Sequence, residues 1–251
     1  MRPKVGAQLI IWGRRPLEDL RGVLEEVSAL GYVGVETSLD VLRANPKPLD
    51  TLRAAGLELS GIHMNIERVN DELIEEALSI LREAGSHYLI FSGAGGRENS
   101  EENYRRNSKR LEEIGAKAGT YGVRVCYHNH WQEIVDDARG MRIVLEETSP
   151  EHVYLCVDTY WVRCGGLTPA EFIRENLQRV VYLHFKDGTE EGLRRHEFTE
   201  LGRGIIDFPS IMKVIEEADV DWIVVEQDRT DRTPRESMAI SREYLKTELG
   251  L

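Results

Sequence analysis

The segment VYLCVDTYWVRCGGLTPAEFIRENLQRVVYLHFK, residues 153–186, contains the pattern from which the fold can be predicted. It begins and ends with short runs rich in β-branched and aromatic residues, at 153–158 and 180–186. Between these runs, 169–176 has the periodicity of an amphipathic helix. A strand, a helix and a second strand in this order indicate two parallel strands that are joined by a helical crossover.

The same alternation extends along the whole chain in both directions. We predict further strands at 5–12, 34–37, 59–64, 88–92, 123–130 and 222–226, and further helices at 17–30, 48–55, 71–84, 101–120, 137–147, 208–218 and 234–249. No linker or change in composition divides the chain, and its 251 residues are close to the length typical of a (β/α)8 barrel. The sequence therefore predicts an α/β fold that consists of a single TIM barrel, one domain over 1–251, rather than a doubly wound open sheet.

The composition is that of a globular protein, with 41% hydrophobic and 30% charged residues. No apolar stretch reaches the roughly 18 residues needed to cross a bilayer, and the N-terminus lacks the features of a signal peptide. We therefore expect a cytoplasmic protein with no membrane partner. Cys126 and Cys156 lie in apolar strand-like runs, as is typical of reduced thiols, and the sequence contains no CxxC motif or disulfide framework.

The formal net charge of −12 opposes binding to a phosphate backbone. We therefore do not expect nucleic acid as a partner. An anionic sugar phosphate would need a local positive group, so the charge disfavours a phosphorylated substrate without excluding one. The sequence leaves the oligomeric state open, and a homo-oligomer is compatible with it.

Alternation along the last three predicted strands separates their two faces. One face carries only apolar residues and is suited to packing against the outer helices: Val153, Leu155, Val157, Val181, Leu183, Phe185, Ile223 and Val225. The opposite face points into the barrel and carries Asp158, His184, Lys186 and Glu226. These four residues lie at the C-terminal ends of their strands, where TIM barrels build their active sites.

Three of the inward side chains indicate a metal site. Each alone has an ordinary structural explanation, with Asp158 as a helix cap, His184 as a hydrogen-bonded core histidine and Glu226 as a salt-bridge partner. Buried together, they are costly unless they are paired, hydrogen-bonded or bound to a cation. Because one cation satisfies all three at once, we predict that they bind a divalent metal ion.

Several motifs carry a resemblance to a known family. The fifth predicted strand ends in YHNHWQE (127–133), and it is followed in order by VDTYW (157–161), LHFKD (183–187), LGRGIIDF (201–208) and VVEQD (224–228). Together these motifs resemble the sugar phosphate isomerase/epimerase family, the xylose isomerase-like barrels that include ketose 3-epimerases and inosose dehydratases. The resemblance extends from the first strand to the last helix.

The resemblance implies four metal ligands, Glu133, Asp158, His184 and Glu226. The last three coincide with the inward residues identified from strand parity. Glu133 depends more on the resemblance, and His128 or His130 remains an alternative ligand from the fifth strand. Three carboxylates and one imidazole favour a hard cation, so we expect one Mn²⁺ ion, with Mg²⁺, Co²⁺ or Zn²⁺ also compatible.

The resemblance also implies the chemistry. The metal would polarise a substrate carbonyl and stabilise the enediolate that forms when the α-proton leaves. In similar epimerases two glutamates serve as both ligands and bases, which corresponds to Glu133 and Glu226 in this chain. We expect the ammonium of Lys186 to hold the developing oxyanion or a substrate hydroxyl. The structural alternative for Lys186 is an ion pair with Asp187 or Asp158.

Other side chains near strand ends, or in the connections that follow them, are candidates for binding substrate: His63, His128, His130, Glu36, Arg203, Trp12 and Trp161. The histidines and the glutamate would hydrogen-bond hydroxyls, the arginine would contact substrate oxygens, and the tryptophans would lie under a sugar ring. Each has a structural alternative in core packing, a salt bridge or a solvated loop. The glycine-rich run SGAGG at 92–96 lacks the P-loop pattern and is interpreted as a mobile rim loop.

The leading hypothesis is a sugar isomerase or epimerase that acts on a keto sugar or keto-polyol. The alternative on the same metal site is a lyase of the inosose dehydratase type, which expels a β-hydroxyl with His63, His128 or Lys186 as the acid. A hydrolase related to endonuclease IV would need a multi-metal cluster, which seven histidines and a charge of −12 disfavour. A non-catalytic barrel would bind sugar without exchanging protons.

Overall fold

The computed structural model describes residues 2–251, which form a closed barrel of eight parallel strands in sequential order. Pairing of the first strand with the last closes the barrel, with Ala7 opposite Val225. The strands are β1 (Lys4–Gln8), β2 (Gly34–Ser38), β3 (Glu58–Asn65), β4 (Tyr88–Ser92), β5 (Arg124–His128), β6 (Val153–Asp158), β7 (Val180–Phe185) and β8 (Trp222–Val225). The predicted (β/α)8 fold is confirmed.

Helices follow every strand and surround the barrel. They are α1 (Arg15–Glu18), α2 (Leu20–Ala29), α3 (Leu39–Ala44), α4 (Pro48–Ala54), α5 (Asp71–Ala84), α6 (Glu101–Gly119), α7 (Trp131–Glu146), α8 (Thr159–Cys164), α9 (Pro169–Glu175), α10 (Glu190–Arg195), α11 (Phe208–Ile215) and α12 (Pro234–Glu248). Within residues 2–251 we find no helix that combines the length and the apolar composition needed to span a bilayer.

Two strands end at least two residues earlier than the sequence predicts. β1 ends at Gln8, because the apolar residues Leu9–Trp12 form a 3-10 turn whose first N–H groups are capped by the Gln8 side chain. β5 ends at His128, because the next residue uses its side chain to bond to β6. Asn129 Oδ1 accepts from the Asp158 N–H at 3.0 Å, and Asn129 Nδ2 donates to the Asp158 carbonyl at 3.3 Å. This pairing holds the ends of β5 and β6 together.

The barrel interior below the site is filled by side chains. Tyr88, Ile90, Cys126, Cys156, Val181, Tyr182, Trp222 and Val224 form one buried cluster, separate from the larger core between strands and helices. The prediction that Val181 points out of the barrel, towards the helices, is wrong. The register between β6 and β7 shifts at this point, so that Leu155 pairs with Val180 and Cys156 with Tyr182, and Val181 is left without a partner in the ladder. The other seven predicted outward residues lie in the larger core.

Candidate active site

Four buried side chains converge at the C-terminal end of the barrel. His128 ends β5, Asp158 ends β6, His184 lies near the end of β7 and Glu226 follows β8. Each offers a nitrogen or oxygen atom, and these atoms all lie within 4.8 Å of one another. The four residues therefore form one cluster, the donor cluster, at the end of the barrel where this fold places its chemistry.

The donor cluster contains polar atoms that no other group of the described chain satisfies. Both ring nitrogens of His128, Oδ2 of Asp158 and Nδ1 of His184 are buried without a hydrogen-bond partner in residues 2–251. His128 Nε2 and Asp158 Oδ2 lie 3.5 Å apart. Buried polar atoms of this kind are costly to leave unpaired, and one donor atom from each of His128, Asp158 and His184 lies close enough to the others to share a bound cation.

The orientation of His184 also fits metal binding. Its Nε2 lies 2.6 Å from Oε2 of Glu36, which is fully buried on β2. Its Nδ1 lies 2.7 Å from Oε2 of Glu226, but the two atoms are not aligned for a hydrogen bond. A ring that donates one N–H to a carboxylate can bind a cation through its other nitrogen once that nitrogen has lost its proton, and metal-binding histidines commonly have such a carboxylate partner.

Lys186 lies against the donor cluster and is almost completely buried. Its Nζ is 2.8 Å from Glu226 Oε1, 2.6 Å from Asp228 Oδ1 and 3.9 Å from Asp158 Oδ2. The ammonium also lies over the rings of Trp161 at 4.9 Å and Phe198 at 4.5 Å. The sequence interpretation missed Asp228, although it follows Glu226 by two residues.

The site carries more negative than positive charge. Burial raises the pKa of Asp158 to about 6, although Lys186 opposes the shift. Burial would also raise the pKa of Glu226, but Lys186 and His184 outweigh it and hold that pKa well below its ordinary value. The carboxyl groups of Asp158, Glu226 and Asp228 lie around the single ammonium of Lys186, so a divalent cation would reduce the surplus of negative charge.

Glu133 lies in the first turn of α7 and its carboxylate is bonded elsewhere. Its Oε1 accepts from the Tyr127 hydroxyl at 2.9 Å, and its Oε2 accepts from the backbone N–H of His130 at 2.8 Å. This turn is separated from the rest of the helix by non-helical backbone at Val135–Ala138. The donor cluster contains His128, and not Glu133, as its member from the β5 region.

A second chain of polar contacts runs from Glu36 on β2 through His63 on β3 to Ser92 on β4. Glu36 Oε1 lies 3.0 Å from Nδ1 of His63, and His63 Nε2 lies 3.1 Å from the Ser92 hydroxyl oxygen. Glu36, His63 and Glu226 also have donor atoms within 4.8 Å of one another. Because Glu36 is hydrogen-bonded to both His63 and His184, these contacts explain its position without a second metal ion.

The predicted tryptophans differ in their surroundings. Trp161 belongs to an aromatic wall at the mouth of the barrel, with ring centroids 5.8 Å from His130, 5.3 Å from His196 and 5.7 Å from Phe198. The contributions of His196 and Phe198 were not identified from the sequence. Trp12 is buried and donates its indole N–H to Glu26 on α2, at 3.0 Å.

The loop that contains Arg203 is organised by Asp187. The buried Asp187 carboxylate accepts backbone N–H groups from Gly188, Gly202, Gly204 and Ile206 at 2.9–3.2 Å. A Cβ atom on Gly204 would lie 2.0 Å from the Asp187 carboxylate, so only glycine fits there. Arg203 itself is about half exposed and pairs with Glu200 at 3.6 Å. Asp187 is therefore an anchor for this loop, and Lys186 has other partners.

The glycine-rich loop at 92–96 is tied to its neighbours. The Ala94 N–H donates to the Tyr127 hydroxyl at 3.0 Å, and the Ala94 carbonyl accepts from the Asn107 side chain at 2.8 Å. The Gly95 carbonyl accepts from Asn103 at 3.1 Å. These bonds argue against the mobility that we expected for this loop.

The chain is similar in sequence to several named enzymes. Inosose dehydratase from Geobacillus kaustophilus (strain HTA426) is 26% identical, over 89% of this chain and 85% of its own length. Inosose dehydratase from Lacticaseibacillus casei is 27% identical, over 61% of this chain and 57% of its own length.

Solved structures and a family comparison agree with this result. A sugar phosphate isomerase/epimerase from Parabacteroides distasonis ATCC 8503 has a TM-score of 0.79 and 21% identity, with 98% of this chain and 94% of that chain covered. D-allulose 3-epimerase from Methylomonas sp. has a TM-score of 0.78 and 17% identity, with 98% and 97% covered. These two likenesses show the fold. Residues 24–248 match the family described as xylose isomerase-like TIM barrel. The chain is therefore an enzyme that belongs to the xylose isomerase-like TIM barrel family.

Proposed function

We propose that this enzyme binds one divalent cation in the donor cluster, enolises an uncharged keto-polyol or keto sugar, and then expels a hydroxyl group as water. The observation that carries the proposal is the convergence of buried, unpartnered donor atoms from His128, Asp158 and His184 beside Glu226. Such a group fits a cation better than it fits a protein core. Lys186, next to Glu226, adds a positive charge where a substrate oxygen would become negative.

We propose that His128, Asp158, His184 and Glu226 hold the cation. Two imidazoles and two carboxylates suit Mn²⁺, and they accept Co²⁺ or Zn²⁺ more readily than a set with three carboxylates would. When bound, the cation would polarise the substrate carbonyl and favour the loss of the adjacent proton. His128 takes the role that the family resemblance suggested for Glu133, in line with the alternative that the fifth-strand sequence left open.

The chain's own residues supply the other roles. We assign removal of the α-proton to Glu226, a carboxylate of the donor cluster. We assign stabilisation of the substrate oxygen to Lys186, which lies next to it. An uncharged substrate is supported by the surplus of carboxylates in the site. It is also supported by Arg203, which is paired with Glu200 and so offers less charge to a phosphate.

Loss of water is supported over epimerisation by two observations. Inversion at a carbon needs a second base on the opposite face, and Glu133, the candidate for that role, has its carboxylate bonded to Tyr127 and His130. The relatives that are similar in sequence are named inosose dehydratases. The named epimerase resembles this chain at 17% identity, a likeness that extends to the fold.

The experiment is to load the protein with Mn²⁺ and incubate it in D₂O with 2-keto-myo-inositol and with panels of ketoses, aldoses and keto-glycosides. We expect deuterium at the α-carbon of the recovered substrate and a product lighter by one water, detected by NMR and mass spectrometry. Deuterium in a product of unchanged composition would replace the lyase proposal with an epimerase or isomerase. Binding without any exchange would overturn the proposal as a whole.

Two controls make the result specific to the donor cluster. Asp158→Asn removes a charged donor atom and is expected to abolish exchange. Asp207→Asn changes an exposed helix cap that bonds to Ser210, and asparagine caps a helix equally well, so exchange should be unchanged. Equal loss in both variants would mean that the assay reports folding rather than the site.

A further inference from the structure

We infer that His63 is the catalytic acid that protonates the departing hydroxyl, and that Glu36 is the positioning residue that orients it. The inference rests on the proposed enolisation and extends it by naming the group that makes elimination its outcome. Sequence reasoning left three candidates for this acid, namely His63, His128 and Lys186. The surroundings of these three side chains differ enough to choose between them.

Two of the candidates are committed to other contacts. Lys186 is held between Glu226 and Asp228 by ion pairs of 2.8 Å and 2.6 Å, so its protons already point at carboxylates. His128 is buried, with 1% of its side chain exposed, and one of its nitrogens faces Asp158 in the donor cluster. A nitrogen that binds the cation cannot deliver a proton to a leaving group.

His63 has the surroundings of an acid. Glu36 lies 3.0 Å from its Nδ1, and a carboxylate at this position fixes the orientation of the ring. Its Nε2 is then the working atom, and it lies 3.1 Å from the hydroxyl of Ser92 at the end of β4. Its side chain is 16% exposed, whereas that of His184 is completely buried, so substrate can reach it from the mouth.

The barrel brings this acid and the proposed base together from different strands. His63 lies on β3 and Ser92 on β4, while Lys186 and Glu226 follow β7 and β8, which are the opposite strands of an eight-stranded barrel. The His63 ring is still close to the donor cluster, with its centroid 5.0 Å from that of His128. His63 and Glu226 also have donor atoms within 4.8 Å of each other, so a substrate bound above them in the mouth would contact the carboxylate and the imidazole at the same time.

The step balances with these groups. The α-carbon loses its proton to Glu226, and the electron pair of that C–H bond forms the enolate. When the carbonyl re-forms, this pair moves into a carbon–carbon double bond between the α-carbon and the β-carbon. The bond between the β-carbon and its hydroxyl breaks, and the departing oxygen takes the proton from His63 Nε2 and leaves as water. His63 ends neutral and Glu226 ends protonated, and exchange with solvent restores both. No oxidant or further reactant is needed.

Glu36 links this acid to the donor cluster. One of its oxygens contacts His63 and the other contacts His184 Nε2 at 2.6 Å. Replacing Glu36 should therefore affect two measurements, the rate of water loss and the affinity for the cation, whereas replacing His63 should affect the first alone. This difference separates a positioning role for Glu36 from a general loss of structure.

The test compares wild type, His63→Gln and Glu36→Gln, each loaded with Mn²⁺, with 2-keto-myo-inositol as the probe. In His63→Gln we expect deuterium exchange at the α-carbon of the substrate and the affinity for Mn²⁺ to stay within about threefold of wild type. The rate of water loss should fall by roughly 10²–10⁴-fold, the usual size of general acid catalysis. Glu36→Gln should also weaken Mn²⁺ binding by about 10–100-fold, measured by calorimetry.

A second probe removes the need for the acid. An analogue that carries fluorine in place of the β-hydroxyl releases fluoride without a proton, so His63→Gln should process it at nearly the wild-type rate. A merely structural role for His63 would not produce this rescue. His152→Gln is the matched control, because His152 pairs with Glu112 at 2.6 Å and precedes β6, at the end of that strand opposite to Asp158, and it should match wild type in every assay.

Each outcome is decisive. If exchange and water loss fall together in His63→Gln, or if the fluorinated probe is not rescued, His63 is not the acid. If wild type itself shows no exchange with the ketonic probe, the proposed enolisation fails, and the role of His63 fails with it. Exchange in wild type without water loss would retain the enolisation and remove the elimination step.

Discussion

The ammonium of Lys186 lies 2.6 Å from the carboxylate of Asp228, a contact that links the end of β7 to the residues following β8. Glu226 approaches the same ammonium from within the donor cluster, at 2.8 Å. The buried ammonium of Lys186 thus compensates the charge of two acidic side chains, and a metal ion in the donor cluster would compensate part of the same negative charge. The stability of the protein should therefore depend on Lys186 and on metal together.

Replacing Lys186 with methionine should destabilise the metal-free protein by about 3–5 kcal/mol, the usual cost of breaking a buried ion pair. Saturating Mn²⁺ should restore more stability to this variant than to wild type, because the cation then supplies the missing positive charge. Urea unfolding with and without Mn²⁺ measures both quantities. Equal stabilisation of the two proteins by Mn²⁺ would show that the cation does not bind beside Lys186.

The affinity for Mn²⁺ should increase with pH between about pH 5 and pH 7. Burial raises the pKa of Asp158 to about 6, so below that pH a proton occupies the carboxylate and competes with the cation. Above it the carboxylate is free, and this part of the pH dependence levels off. Calorimetry at several pH values, in buffers of different ionisation enthalpy, should detect proton release that is larger at pH 5 than at pH 7. In Asp158→Asn this part of the pH dependence should disappear.

Much of the barrel could be predicted from the sequence because strand parity and helix periodicity are local patterns. Asp158, His184 and Glu226 could be placed at one end of the barrel because parallel strands share a direction. Their partners could not be found in this way. Glu36 contacts His184 across the barrel, at a sequence distance of 148 residues, and no local pattern reports such a contact.

The fifth strand shows the same limit at shorter range. His128 and Glu133 are five residues apart, and the sequence does not say where the strand ends. The strand ends at His128 because the Asn129 side chain bonds to Asp158. Glu133 then lies in the first turn of α7, and its carboxylate accepts from the Tyr127 hydroxyl. The end of β5 therefore depends on one side-chain pairing, which a sequence motif does not reveal.

The two tryptophans that the sequence suggested as substrate-binding residues should respond differently to replacement by alanine. Trp161 lies over Lys186 and beside Phe198 in the aromatic wall, so Trp161→Ala should raise KM for the keto-polyol several-fold or more, through lost contact with the substrate ring. Trp12 packs in the core and bonds to Glu26, so Trp12→Ala should lower the unfolding free energy by about 3–5 kcal/mol and leave KM unchanged. Steady-state kinetics and urea unfolding of both variants test this, and a similar change of KM in both would contradict the assignment of the wall.

The choice between His128 and Glu133 as a metal ligand can be made by direct measurement. His128→Gln should weaken Mn²⁺ binding by at least about 10–100-fold, because it replaces one of four converging donor groups with a weaker one. Glu133→Gln should bind Mn²⁺ as wild type does, and should lose about 1 kcal/mol of stability through a weaker bond to the His130 N–H. Calorimetry and urea unfolding give both values. The reverse result, with metal lost in Glu133→Gln and kept in His128→Gln, would mean that the carboxylate leaves its bonds to Tyr127 and His130 when the cation binds, and that the ligand set implied by the family resemblance holds in this enzyme.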